Sequence, residues 1–375
     1  MSPAPPIPAA GRLRFIDIAR SVAILLMLEG HFVDLTLAEE HRTRGVWLYE
    51  TWHYIRGMTA PMFFTVTGLV FAYLLTGARE SGFWQVPRVR KGFKRAGELL
   101  FWGYLLQLNL RLLPDAGRMF TSEWLIAFHV LQCIGCGLLA MIAIFGLARR
   151  LAPRAMATCY ALAALAMFLL GVWLDNQPGP IPATAPALLQ NLFKGTYSVF
   201  PLAPWLGFTF YGAALGVIVR ALGPRLSQPS APTAIFLTGL GLKCIGWWVD
   251  GHLSHIVILL AGISPEGAVP DLGFHNRVGE ILMVLGLLVW IENRFRPGDS
   301  WFTTIGRNTF PVYVGHVIVL YGGIFGIGLN GYLTRQLNPW QAALGALLFL
   351  ASFALVAQAI DPMEKAWSRR KSRKE

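Results

Sequence analysis

Apolar runs of about twenty residues, the length that carries a helix through a hydrocarbon core of about 30 Å, recur from one end of this sequence to the other. Each is closed by charges, proline or glycine, so the chain must thread a bilayer repeatedly or expose more apolar surface than a soluble domain tolerates. Ten spans are predicted, at 15–36, 54–76, 96–113, 123–147, 155–174, 201–221, 233–250, 275–292, 308–329 and 339–361. Composition agrees. With 55% hydrophobic and 14% charged residues and a mean hydropathy of +0.51 over 375 residues, a soluble enzyme and a single-span receptor are both excluded. The expected architecture is all-α: one polytopic domain over 12–361, a Pro- and Ala-rich disordered tail at 1–11 and a basic tail at 362–375. No apolar stretch precedes Arg12, so the first span is expected to act as an uncleaved signal. The apolar patch Ile256 to Ile263 is too short to cross and ends in Ser-Pro, and is read as a re-entrant or surface helix in an outer loop.

The net charge of +12 raises nucleic acid as a partner, but the basic residues fall in short runs between apolar segments, where membrane orientation explains them. With the amino terminus inside, most of the 32 basic residues lie in alternate, inner segments: Arg12 and Arg14, the 79–95 run, Arg149 to Arg154, Arg220 with Arg225, Arg294 to Arg307, and the carboxyl-terminal tail. The outer loops hold few. Both termini are therefore expected in the cytoplasm, with lipid rather than nucleic acid as the surrounding partner. The outer loop 175–200 is Pro-rich and expected to be irregular.

The first span holds its charges at particular places. Arg20 and His31 are eleven residues apart, close to three full helical turns, so they leave one face about 16 Å apart along the axis. Asp17 and Asp34 fall near that face and Glu29 opposite it. A charged residue at mid-membrane costs about 3 kcal/mol by insertion scales, so this stripe should face protein or a wet cavity rather than lipid.

The segment "RLRFIDIARSVAILLMLEGH" resembles the first helix of the transmembrane acyltransferase superfamily, whose acyltransferase-3 branch carries an Arg, ten residues and a His at this place. "TAPMFFTVTGLVFAYLL", "FHVLQCIGCGLL" and "FPLAPWLGFTFYGAALG" resemble the branch containing heparan-α-glucosaminide N-acetyltransferase and its bacterial relatives. "IGRNTFPVYVGHVI" is similar to a pattern of both branches. Two departures stand out: Ser21 follows the arginine where the family usually has glycine, and the loop after the first span lacks a Trp-Asn-Gly stretch.

The resemblance implies transfer of an acyl group, acetyl in the simplest case, from cytoplasmic acyl-CoA to a carbohydrate or glycolipid hydroxyl or amine on the outer side of an inner (plasma) membrane. His31 is then the general base, since neutral imidazole suits proton removal near pH 7. Arg20 either meets a donor phosphate or carbonyl or holds Asp17 one turn back. His53 is the rival base, because the eukaryotic heparan enzyme carries its histidine after the first helix. The donor's phosphates are assigned to Arg88, Arg90, Lys91, Lys94 and Arg95, a run that orientation alone also explains. Asp34, His129, Arg307, Asn308, Tyr313 and His316 are candidate pocket residues. The plainer alternatives are helix capping for Arg307 and Asn308 and polar packing for the others. Cys133 and Cys136 form a C-x2-C with no second pair or nearby histidine, so small-residue packing is expected there and no metal. A transporter of small anions or lipid-linked precursors would also place Arg, His and Asp inside the membrane; it lacks the ordered family-like blocks.

Overall fold

The computed structural model describes residues 13–43, 45–78, 82–115, 117, 123–176, 185–195, 197–262, 273–296 and 298–372. The expected amino-terminal tail lies outside them. Among the described residues the chain is all-α, with two isolated bridges and no strand. The helices are α1 (Arg14–Thr36), α2 (Trp47–Leu75), α3 (Pro87–Leu105), α4 (Val130–Ala148), α5 (Pro153–Asp175), α6 (Ala187–Lys194), α7 (Leu202–Leu222), α8 (Ser230–Leu260), α9 (Phe274–Phe295), α10 (Trp301–Arg307), α11 (Thr309–Tyr321), α12 (Asn330–Leu333) and α13 (Pro339–Ser372). Seven of the described helices are long and apolar enough to cross a membrane: α2, α4, α5, α7, α8, α9 and α13. Three of the ten expected spans fall outside that set. The first, α1, carries Arg14, Asp17, Arg20, Glu29 and Asp34; α3 is strongly amphipathic, its first turns holding the basic run; α11 is 13 residues long.

Four expectations are corrected. The patch at 256–263 is not a separate helix, because α8 runs unbroken to Leu260. The third span ends at Leu105 and not at 113, with a 3-10 turn at Leu110–Asp115 beyond it. The ninth stops at Tyr321, where Gly322 takes a left-handed conformation (φ +73°) and its N–H bonds Ile318 O. The 175–200 loop contains the helix α6, while its residues 177–184 lie outside the described ones. At the carboxyl end, α13 continues as helix past 361 to Ser372.

Small residues set the packing, as expected where apolar burial no longer distinguishes a helix neighbour from lipid. α2 crosses α7 backbone to backbone: a Cβ on Gly68 would lie 1.9 Å from Thr209 O, and one on Gly212 would lie 1.9 Å from Thr65 O. α10 sits equally close on α1, where a Cβ on Gly306 would meet Asp17 O at 2.2 Å. Ser21 Oγ completes that contact by donating to Phe302 O (2.6 Å). Ser21 thus fastens α1 to α10. At the start of α1, where Leu13 offers no side-chain cap, Glu292 of α9 accepts the N–H groups of Arg14 and Phe15 at 2.9 and 2.8 Å.

Candidate active site

A cavity of about 690 Å³ opens where α1, α3 and α11 end and α4 begins, with the amino-terminal part of α2 alongside. Loops close its rim. Leu337 N–H donates to Thr36 O (2.8 Å) and Ala38 N–H to Leu337 O (2.9 Å), which ties the end of α1 to the segment before α13; Leu110 N–H donates to Ile324 O (2.8 Å), which ties the loop after α3 to the loop after α11.

His31 lines this cavity from the last turns of α1. Its Nδ1 lies 3.1 Å from Nε2 of His316, a fully buried residue of α11. The ring of Tyr313 packs edge-on against His316 with centroids 5.0 Å apart, and Tyr321 packs edge-on against His31 at 5.9 Å. Nδ1 of His316 is buried and has no hydrogen-bond partner among the described residues. Between two neutral rings one nitrogen donates and the other accepts; in the tautomer in which His31 donates from Nδ1, His316 accepts at Nε2, and Nε2 of His31, a residue on the cavity wall, is unprotonated.

Beside His31 stands a charged cluster. Asp34, one turn on, accepts from Arg56 Nη2 at 2.8 Å and Arg42 Nη2 at 2.5 Å, and its carbonyl accepts from Arg335 Nη1 at 2.6 Å. Arg56 reaches the cavity by lying across α1, where Gly30 leaves room: a Cβ there would meet Arg56 Cγ at 3.2 Å. Glu39 pairs with Arg42 at 3.9 Å and with Arg335 at 3.5 Å, so the three arginines of this rim are shared between two carboxylates.

Of the residues singled out from sequence, the cavity gathers His31, Asp34, His129 and Tyr313, with His316 directly behind His31. The others lie elsewhere. Asp17 is buried under Gly306 and Arg20 is half-buried; neither lines the cavity. His53 is exposed on α2, stacked on Tyr49 at 5.9 Å. Arg88, Arg90, Lys91 and Lys94 project from the exposed face of α3, while Arg95 lies over the Phe310 ring at 4.1 Å and pairs with Glu98 at 3.2 Å. Arg307 donates to Thr304 Oγ1 at 2.6 Å and to Asp299 at 3.3 Å, both at α10, and Asn308 donates to Ala357 O at 3.1 Å, which holds the α10–α11 junction against α13. Arg56, Gln107, Asn109, Trp124, Gln132 and Tyr321 also line the cavity and were not picked out from sequence. Gln132 was within reach, since it stands one turn after His129 inside a segment already noted for its resemblance.

An all-α membrane protein with a histidine at the wall of a largely apolar cavity that carries a few polar groups is the class these features define. Residues 12–246 match the family model of heparan-alpha-glucosaminide N-acetyltransferase, catalytic, and the chain belongs to that family. Among curated proteins nothing matches it. The matched stretch supplies His31, Arg56, Gln107 and Gln132; His316 and the α11 side of the cavity lie beyond it.

Proposed function

We propose that this membrane acetyltransferase moves the acetyl group of acetyl-CoA to an amine or hydroxyl of a carbohydrate or glycolipid, with His31 as general base. The observation that supports the reading is the His31–His316 contact at the cavity wall: with His31 donating from Nδ1 to His316, Nε2 of the cavity-lining histidine is the atom that takes the proton. In the reaction the acceptor's nitrogen or oxygen forms a bond to the thioester carbonyl carbon as its proton passes to Nε2 of His31. The developing oxyanion is met by Arg56, held in place by Asp34. Collapse breaks the carbon–sulfur bond, and the imidazolium returns the proton to the departing thiolate.

The donor's phosphates are assigned to the basic face of α3, Arg88 to Arg95. About 22 Å of helix separates Arg88 from Gly103 at the cavity. The contacts Arg95 to Phe310 (4.1 Å) and Phe310 to Trp102 (6.2 Å) lie along that interval, next to Leu106 in the cavity wall. Donor and acceptor thus approach from opposite ends of the bundle, the donor from the inner side and the acceptor from the outer.

Purified full-length protein given radiolabelled acetyl-CoA and a panel of amino sugars and glycans is expected to transfer label to a subset of them. His31→Ala should lower turnover by about 10²–10⁴ with unchanged yield. Wild-type turnover in His31→Ala beside an inactive His53→Ala would hand the role to the rival histidine.

A further inference from the structure

On the wall provided by α4, the cavity holds a pair of glutamine side chains whose hydrogen bonds run in one direction. Gln107 Nε2 donates to Trp124 O at 2.8 Å and to Ala127 O at 3.0 Å. Backbone carbonyls only accept, so this amide cannot be turned over, and both of its hydrogens are used. Its oxygen therefore faces Gln132, whose Nε2 donates to it at 2.5 Å. The orientation of the second amide follows from the first, and Gln132 Oε1 is left as the open end of the relay. That oxygen is itself buried and has no hydrogen-bond partner among the described residues, and it belongs to one of the residues that line the cavity. One turn before it, His129 Nε2 is buried and unpartnered too, with its ring against Trp124 at 4.7 Å.

A buried acceptor without a donor bears the full penalty of losing water, so a wall built this way is complementary to something that donates. Because the polarity is fixed by two carbonyls, the wall cannot adapt to an acceptor by flipping an amide. We infer that the Gln107–Gln132 relay is a substrate subsite that takes a neutral hydrogen-bond donor, an amide N–H or a hydroxyl, and rejects groups that only accept. The acetyltransferase reading supplies the two sources of that chemistry, the amides of the donor's pantetheine arm and the hydroxyls of the acceptor sugar. Gly103 keeps the subsite open: a Cβ there would fall 2.6 Å from Gln132 Cδ and displace the amide.

Matched probes differing in one donor hydrogen decide the matter on full-length protein in detergent. One pair is S-acetyl-N-acetylcysteamine and its oxygen ester, which lacks the N–H, read as competition against radiolabelled acetyl-CoA. The other is glucosamine and its single-deoxy counterparts, read as stabilisation against heat. Wild-type protein is expected to favour the hydrogen-bearing member of one pair by about tenfold to a hundredfold, and Gln132→Met to bind both members of that pair alike. Loss of discrimination in the thioester pair identifies the donor arm as the occupant; loss in the sugar pair identifies the acceptor. Gly103→Ala should blunt the same discrimination, and it decides the question if Gln132→Met does not fold. Equal binding of both pairs by the wild-type protein, or discrimination that survives in the variants, overturns the subsite. Wild-type protein that does not bind acetyl-CoA counts instead against the acetyltransferase reading, and the sugar pair then tests the subsite alone.

Discussion

An imidazole serves as a base toward a substrate only while the nitrogen facing that substrate is bare, and in the proposed mechanism His316 secures this for His31 by accepting the Nδ1 proton. His316→Phe fills the space but cannot accept the Nδ1 proton, so the His31 tautomer is no longer fixed and turnover should fall about tenfold to a hundredfold with KM little changed. His316→Gln retains an acceptor at the Nε2 position and should recover part of that loss; equal activity of the two variants would reduce His316 to packing. Arg20 and Asp17 behave differently, because both lie away from the cavity and Asp17 lies under the α10 contact. Asp17→Asn is expected to lower protein yield and thermal stability while leaving the acetyl-CoA KM near wild type. A raised KM with normal yield would move this end of α1 into the donor site. His31 was legible in the sequence because a charged and a titratable residue at helical spacing in an apolar run is costly without a purpose. Arg56 was not, since its role comes from Asp34 on another helix, and although Gln132 stands in a segment already noted, its pairing with Gln107 could not be read there.

At the scale of the helix, the contacts that hold the bundle are those where no side chain intervenes. Replacing Gly68 or Gly212 by alanine would place a methyl group 1.9 Å from a carbonyl oxygen of the opposing helix, and the neighbour is backbone that cannot swing aside. Either change should force α2 and α7 apart and lower the unfolding temperature and yield far more than alanine at Gly241, where nothing lies within 4 Å. Thermal unfolding of the purified variants in detergent checks this, and equal stability of Gly68→Ala and Gly241→Ala would refute the close crossing. The positions of most long helices could be read from apolar runs, whereas their ends depended on tertiary partners. Asp250, Gly251 and His252 look like the close of a span, yet α8 passes through them because the Asp250 carboxylate is buried against His275, accepting its backbone N–H at 2.8 Å. A charge that finds a partner on the next helix does not end its own. The reverse holds at α11, where the apolar run goes on but Gly322 ends the helix.

Across the whole molecule, the ends of the bundle differ in chemistry. One end carries the cavity, His31 and the Asp34 cluster; the other carries the exposed basic turns of α3 and the Arg307–Asn308 junction. Because lysine and arginine resist translocation, the basic end is expected inside and the cavity end outside. A two-substrate reaction then has a direction built into it, with a charged donor that stays in the cytoplasm and an acceptor that need not enter. Introduced cysteines test this after Cys136, Cys159 and Cys244 are replaced by serine, which leaves the buried Cys133 as the one native thiol. A cysteine at Arg90 should resist a membrane-impermeant maleimide in intact cells and react once the membrane is opened. One at Glu39, exposed just past the end of α1 beside the Asp34 cluster, should react from outside without permeabilisation. If Arg90→Cys labels from outside and Glu39→Cys does not, the molecule is inverted, the basic face cannot meet a cytoplasmic donor, and the acceptor side must be reassigned to the cytoplasm.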